Sequence, residues 1–365
     1  MRKIKVLKSI MFFLGVFLLA SCASNKASKV SNNKYTNSKE APIWVSNVNA
    51  TYPDFQWLAA VGYETNRAAA EKNALAELSK IIKQHIDSEA TLKQTDTRID
   101  TKNDTESTLV QEYTTNVKTS SVIDEINGMA IQEVWTDSDG SVYAVATINR
   151  TVTGLYYSDK IKQYNDVIMS EIANAKKQTA SLLTVKALLH AVSLATENST
   201  FIDILSVVNP MQYKLVQLDY ESVQAVELLA KQEIQKITIG ISVEGDVSGR
   251  ITQAFSKELS DAGFNTKVIT DLSKKESNNL QYYLKAITSI EPIDMNASND
   301  YKYVRYVINT NLIDSSSDKS IMSYSMNGRE AKMSVSEAQQ KALRSIEQDI
   351  ASKYSKEFFG MLKNN

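Results

Sequence analysis

A single cysteine, Cys22, stands at the end of the opening apolar run, and no second thiol exists among the 365 residues. No internal disulfide can form, and no zinc site can rest on a cysteine pair. Arg2, Lys3, Lys5 and Lys8 precede the run, which covers residues 10–20. A basic n-region followed by a short apolar h-region is the pattern of a secretory signal. As helix, such a run spans about 16 Å against a hydrocarbon core of ~30 Å, so a permanent membrane span is the weaker reading. The exported body must hold together on an apolar core alone. Its 43% apolar and 23% charged residues are ordinary for a folded globular chain.

The run closes on Leu19, Ala20, Ser21 and Cys22. An aliphatic residue, two small residues and a cysteine resemble the lipobox of bacterial lipoproteins. The small side chains let the peptide bond enter a protease site, and the thiol is the nucleophile that takes the diacylglycerol. The alternative is an ordinary signal peptide with an incidental cysteine. The resemblance implies a thioether lipid on Cys22, cleavage before it, and acylation of the new amine by a fatty acid such as palmitate. Two or three acyl chains, at ~0.8 kcal/mol per buried CH₂, anchor permanently where one would be marginal. Ala23 follows, with no aspartate to signal inner-membrane retention, which points to the outer membrane and a body facing the periplasm. The partners so implied are membrane lipid at Cys22 and other envelope proteins.

Residues 22–41 read as a lipidated tether rich in serine, asparagine and lysine, with almost nothing to bury. As a flexible coil it holds the body roughly 25 Å from the bilayer. Lys26, Lys29, Lys34 and Lys39 are solvated tether, or contacts to anionic headgroups.

Three α+β and helical modules are predicted beyond the tether, punctuated by the four prolines. In residues 42–157, the run 57–63 reads as a short buried strand. Asn66 is a helix N-cap, followed by Ala70, Ala74, Leu78, Ile82 and Ile86 at four-residue spacing. Residues 91–108 read as a polar loop or the worn start of a strand, and 110–126 as a long, weakly apolar strand. Residues 129–135 and 142–148 flank Asp137, Asp139 and Gly140, a hairpin with Gly140 available for positive φ. The expected order is β-α-β-β-β.

Trp44 after Pro42, the strand ending in Gly62, the alanine-studded helix, and Trp135 with Gly140 and Tyr143 resemble the LPP-20 family of bacterial envelope lipoproteins. The likeness spans residues 42–157, with a C-terminal extension that short members of the family lack. It implies no catalytic motif; some members serve motility or cell-surface structures. Trp44 and Trp135 are expected to be structural, in the layer between the sheet and the first helix.

Residues 158–236 are expected to form an antiparallel helical hairpin, a long helix up to Pro210 and a second across 220–236. Residues 237–365 give a β-α-β-β-β-α order: strands at 237–243, 264–270, 280–290, 301–313 and 320–327, a helix at 248–262 with Gly263 after it, and a closing helix behind a Ser334/Glu337 capping box. That order resembles small domains of other envelope lipoproteins, including activators of peptidoglycan synthases.

Little chemistry is written in the chain. His85 and His190 lie far apart and in no metal-ligand spacing, and no partners suggest a triad. Gly240, Gly245 and Gly249 are too widely spaced for a phosphate loop and read as a permissive turn. Asp137 and Asp139 lack the rest of a calcium loop. With 41 basic against 42 acidic residues there is no nucleic-acid-binding charge excess. The expectation is a non-enzymatic protein with neither cofactor nor metal, in which six tyrosines of the third module, partly exposed, offer a partner surface. The alternative function is a tethered regulator of a periplasmic cell-wall enzyme.

Overall fold

The computed structural model describes residues 34–36, 40–97, 107–120, 126–177, 180–270, 279–294 and 300–363. Leu19, Ala20, Ser21 and Cys22, and most of the tether, lie outside them. The chain is a mixed α+β protein with two sheets and helices between them.

The first sheet contains β1 (Lys34–Thr36), β2 (Trp57–Glu64), β3 (Ala130–Thr136) and β4 (Val142–Asn149), in the order β1-β3-β4-β2. β2 and β3 each run antiparallel to β4, and β1 pairs parallel with β3. That pairing departs from the expectation that residues 22–41 are a flexible coil throughout. Before β2 come two short helices, α1 (Ile43–Ser46) and α2 (Val48–Thr51). After it comes α3 (Arg67–Thr97), which runs on through the stretch expected to open a loop. The Asn66 side chain accepts from Ala69 N–H, the predicted N-cap. Ala70, Ala74, Leu78 and Ile82 are all buried against the sheet, as their spacing requires.

The strand expected at 110–126 is instead a helix, α4 (Thr108–Ser120). The order of the first module is therefore β-α-α-β-β, not β-α-β-β-β. Its β-branched residues favour strand, but positions 109, 110, 113 and 117 keep helical spacing, and burial decides. Leu109 and Val110 are buried in the core of the C-terminal half, not in the first module. Ser107 Oγ donates to Ala262 O at 2.7 Å and Thr108 Oγ1 to Asp261 O at 2.9 Å, fixing the start of α4 to that half.

The central region is not a two-helix hairpin. α5 (Arg150–Lys177) and α6 (Leu182–Val208) pair with each other, and Ser181 caps α6 by accepting from Thr184 N–H at 3.2 Å. A short α7 (Pro210–Tyr213) follows, and α8 (Val223–Gln235) packs on α6 as a third long element. α6 is predominantly apolar because it packs into both cores, with Lys186, His190, Glu197 and Asp203 on its partly exposed positions. Leu182 to Ala195 join the C-terminal core, while Ile204, Leu205, Val207 and Val208 complete the core beneath α3.

The third module has the order β-α-β-β-β-β-α, one strand more than the expected β-α-β-β-β-α, with its five strands near the predicted ranges. β5 (Thr238–Glu244), α9 (Arg250–Asp261), β6 (Asn265–Val268), β7 (Tyr282–Ile293), β8 (Lys302–Asp314) and β9 (Ser320–Lys332) make a sheet ordered β6-β5-β7-β8-β9. α10 (Val335–Asp349) starts at the Ser334/Glu337 capping box, passes through a π-helical turn (Ile350–Tyr354) and continues as α11 (Ser355–Lys363). Gly263 has φ +102, as a residue closing α9 requires. On β8, Val304, Tyr306, Ile308 and Leu312 are buried while Arg305 is exposed, the two-residue alternation of a strand with one face on the core.

Candidate functional site

The family-marker residues converge on the first sheet, but on both of its faces. Along β2, Leu58, Ala60 and Gly62 face α3, while Trp57, Ala59 and Val61 face the other way. Gly62 is required by a close approach. A Cβ there would lie 2.1 Å from Ala74 N and 2.7 Å from Ala70 O, so the backbones of strand and helix touch.

Trp44 and Trp135 are buried, but not in the layer under α3 where they were expected. They lie on the opposite face with Tyr52 and Val145, covered by α1 and α2. The reason is parity. Trp135 pairs across β4 with Tyr143, and Tyr143 pairs with Tyr63, so all three share the face away from α3. At the centre of this face Glu133 accepts Trp44 Nε1–H at 3.1 Å and Tyr52 O–H at 2.8 Å, one on each carboxylate oxygen. Burial, and then the Glu133 carboxylate, push the Tyr52 phenol well above its ordinary value. Glu133 and Tyr52 were missed in the sequence. Glu133 sits two residues before Trp135, hence on the same face, which was its only available signal.

Tyr63, Tyr143 and Trp135 form one aromatic row across three strands. Ring centroids are 5.9 Å apart between Tyr63 and Tyr143, nearly parallel, and 5.5 Å apart between Tyr143 and Trp135. Trp135 is buried, Tyr143 half-buried, and Tyr63 67% exposed. The row thus runs from a packed anchor to an exposed ring on edge strand β2. Gly140, with φ +90, closes the adjoining β3–β4 turn, where Gly140 N–H donates to Asp137 O at 3.1 Å. Ser141 N–H and side chain hold the exposed Asp139 carboxyl below its usual range.

Other sequence candidates lie elsewhere. His190 Nδ1 is 3.1 Å from Glu171 Oε1 on the α5–α6 pair, and His85 is an exposed residue of α3. Gly245 and Gly249, both at positive φ, shape the turn into α9. Among the described residues no three His, Cys, Asp or Glu side chains gather as a metal site. No described helix is long and apolar enough to cross a membrane. Of the third-module tyrosines, Tyr282, Tyr283 and Tyr306 are buried and Tyr301 is exposed.

Residues 42–149 match the LPP20 lipoprotein family. The chain therefore carries an LPP20 lipoprotein domain, with further sequence C-terminal to it. Among solved structures, it is similar to a minor lipoprotein of Acinetobacter baumannii, at 12% identity and TM-score 0.26 over 34% of this chain and 92% of that one. A secreted protein of Helicobacter pylori matches at 14% identity and TM-score 0.38 over 81% of this chain and 98% of that one. A lipoprotein of Neisseria meningitidis matches at 14% identity and TM-score 0.22 over 31% and 99%. A comparison with curated proteins finds no match.

Proposed function

We propose that the protein is a non-enzymatic component of the bacterial outer membrane, held by lipid on Cys22 and facing the periplasm, that docks other envelope proteins on its aromatic row. The observation carrying this reading is Tyr63, 67% exposed yet stacked on Tyr143. A large ring fixed by a sheet gives up little conformational freedom on binding, and tyrosine is enriched at protein interfaces. The acid beside the row, Glu133, is engaged on both oxygens by Trp44 and Tyr52, a structural use. A structural or assembly role in motility or a surface apparatus follows from the family resemblance.

The second reading, a tethered regulator of a periplasmic cell-wall enzyme, is favoured by one feature of the C-terminal sheet. Its outer face carries a hydrogen-bonded polar ladder, Ser323 Oγ to Asn311 Oδ1 at 2.7 Å and Ser325 Oγ to Asn309 Oδ1 at 2.8 Å.

Photo-crosslinking in cells separates the readings. A photoreactive residue at position 63 is expected to capture flagellar or surface-assembly proteins. Capture of cell-wall synthases from position 309, with none from 63, would establish the second reading at the expense of the first.

A further inference from the structure

We propose that the open face of the C-terminal sheet binds an extended glycan strand that carries carboxylates, the chemistry of the cell-wall polymer. α10 packs on one face of β8 and β9, where Val304, Ile308 and Leu312 are buried. The opposite face carries Arg305, Asn309, Ser323, Ser325, Asn327 and Arg329, all exposed.

Two features of this face work against the sheet itself. Arg305 stands directly opposite Arg329 across β8 and β9, and like charges so placed repel at a Cβ separation of about 5 Å. Among the described residues neither guanidinium has an ion-pair partner. Glu291 neighbours Arg305 on the β7 side without pairing to it, and Glu330 points to the other face, where Lys341 holds it at 2.7 Å. The second feature is asparagine, a residue disfavoured in strands, which recurs here at 309, 311 and 327. Local choices that oppose the fold on an uncovered face, where no packing offsets them, mark a site kept for another use.

The chemistry of the face fits a sugar chain. Ser323 and Ser325 donate to Asn311 Oδ1 and Asn309 Oδ1, which fixes both amides and leaves their Nδ2 donors toward solvent. Those donors, with Asn327 and the exposed Ser289, suit vicinal hydroxyls and acetamido carbonyls. Val307 and Ile287, on the same face, offer apolar contact to the C–H side of a ring. From Arg305 to Asn311 the row runs about 20 Å, so its ligand is extended. The two guanidiniums present forked donors to one carboxylate, whose charge removes their repulsion. Glu291 biases that carboxylate toward β9. Charge complementarity thus selects an acidic glycan over a neutral one, and the shortage of apolar area sets the face apart from the apolar centre of a protein interface. The site deepens the second reading above by naming the polymer on which such a regulator sits.

The test is co-sedimentation of the full chain, kept in detergent, with isolated peptidoglycan sacculi. Arg305→Gln/Arg329→Gln is expected to weaken binding about tenfold, and Asn309→Thr/Asn327→Thr to weaken it as well. Both variants are expected to keep or raise the urea midpoint by circular dichroism, since each removes residues that oppose the sheet. Lys176→Gln/Lys177→Gln, which removes the same charge from the exposed end of α5, is expected to bind as wild type. Sacculi with amidated carboxyls are expected to lose the protein. No sedimentation of wild type, undiminished binding by the arginine variant, or undiminished binding to amidated sacculi overturns the proposal. Equal loss in the lysine variant overturns it too, as a net-charge effect. Displacement by phosphatidylglycerol micelles but not by polygalacturonate would assign the guanidiniums to lipid headgroups instead, against the proposal. Failure of glycan binding leaves the second reading to crosslinking at position 309, and crosslinking at 63 is independent of every arm.

Discussion

Gly62 is the position at which a single methyl group tests the packing of the LPP20 domain. In Gly62→Ala the new Cβ would sit 2.1 Å from Ala74 N, 2.6 Å from Asn73 C and 2.7 Å from Ala70 O, whereas ordinary contact begins at 3.4 Å. The obstructing atoms are backbone, so no rotamer change relieves them. α3 must move off the sheet by more than 1 Å, roughly the difference between the closest of these distances and ordinary contact. That opens the layer where Leu78 and Ile82 are buried. Overpacking of this kind costs about 1–3 kcal/mol, and a rigid backbone obstruction belongs at the upper end. Replacing glycine also restricts the unfolded chain, which returns about 0.4–1 kcal/mol. The steric term wins, leaving a net loss of about 2 kcal/mol.

The assay is favoured by where the tryptophans fall. All three, Trp44, Trp57 and Trp135, lie in this domain, so intrinsic fluorescence during urea unfolding reports the domain itself. A net loss of about 2 kcal/mol lowers the urea midpoint by about 1 M at a slope near 2 kcal/mol/M. Gly140→Ala is the matched control. It meets nothing within 4 Å but has φ +90, so it tests backbone strain without collision. A Gly62→Ala midpoint equal to wild type would refute the contact between strand and helix.

Glu133→Leu leaves Trp44 Nε1 and Tyr52 Oη without their acceptor, and is expected to lower stability by about 2–4 kcal/mol in urea unfolding, more than Glu133→Gln, which keeps one acceptor oxygen. Cys22→Ser is expected to abolish lipid labelling and to release the protein from membranes under mild washing; firm retention would exclude the lipid anchor. Stability is expected to hold through neutral pH and to fall above pH ~10, because burial raises the phenols of Tyr157, Tyr220 and Tyr282, and burial with the Glu197 carboxylate pushes Tyr164 up to about 12. A raised phenol favours the folded state fully below the unfolded value and loses that contribution as pH climbs toward the folded one, so urea midpoints measured from pH 7 upward check the sign.

The C-terminal module was legible because its strands alternate cleanly and its helix ends carry explicit caps. Ser334 with Glu337 and Gly263 mark boundaries by local hydrogen bonding that no distant contact overrides. Residues 108–120 were misread because threonine and valine favour strand locally, while the energy that forms the helix comes from Leu109 and Val110 entering a distant core. Thr114 shows how a β-branched residue is accommodated: its hydroxyl donates to Glu227 Oε1 at 2.8 Å on α8, the neighbouring helix. The tryptophan layer was misassigned for a different reason. Alternation says which residues share a face within a strand, but the register that links Tyr63, Tyr143 and Trp135 is a tertiary fact. The groove that Phe55, Met211 and Leu215 line was invisible because Met211 and Leu215 meet Phe55 only once α6 has brought them there.

α6 is the element that makes one body of two modules. The family likeness stops at residue 149, yet the core beneath α3 is completed by Ile204, Leu205, Val207 and Val208 from the end of α6. The first half of the same helix is buried among α8 and the C-terminal sheet. Arg150 fixes the junction, because one guanidinium binds Asp54 before β2 and the terminal carbonyls of α6 at once. A spacer would leave the two modules free to reorient; a helix buried on both sides does not, since turning either module would expose part of its apolar surface. The aromatic row and the groove therefore keep a fixed relation, at opposite ends of the eight-residue strand β2, about 25 Å apart at strand rise. Tyr63 and the C-terminal sheet are thereby carried at a set distance from each other by α6.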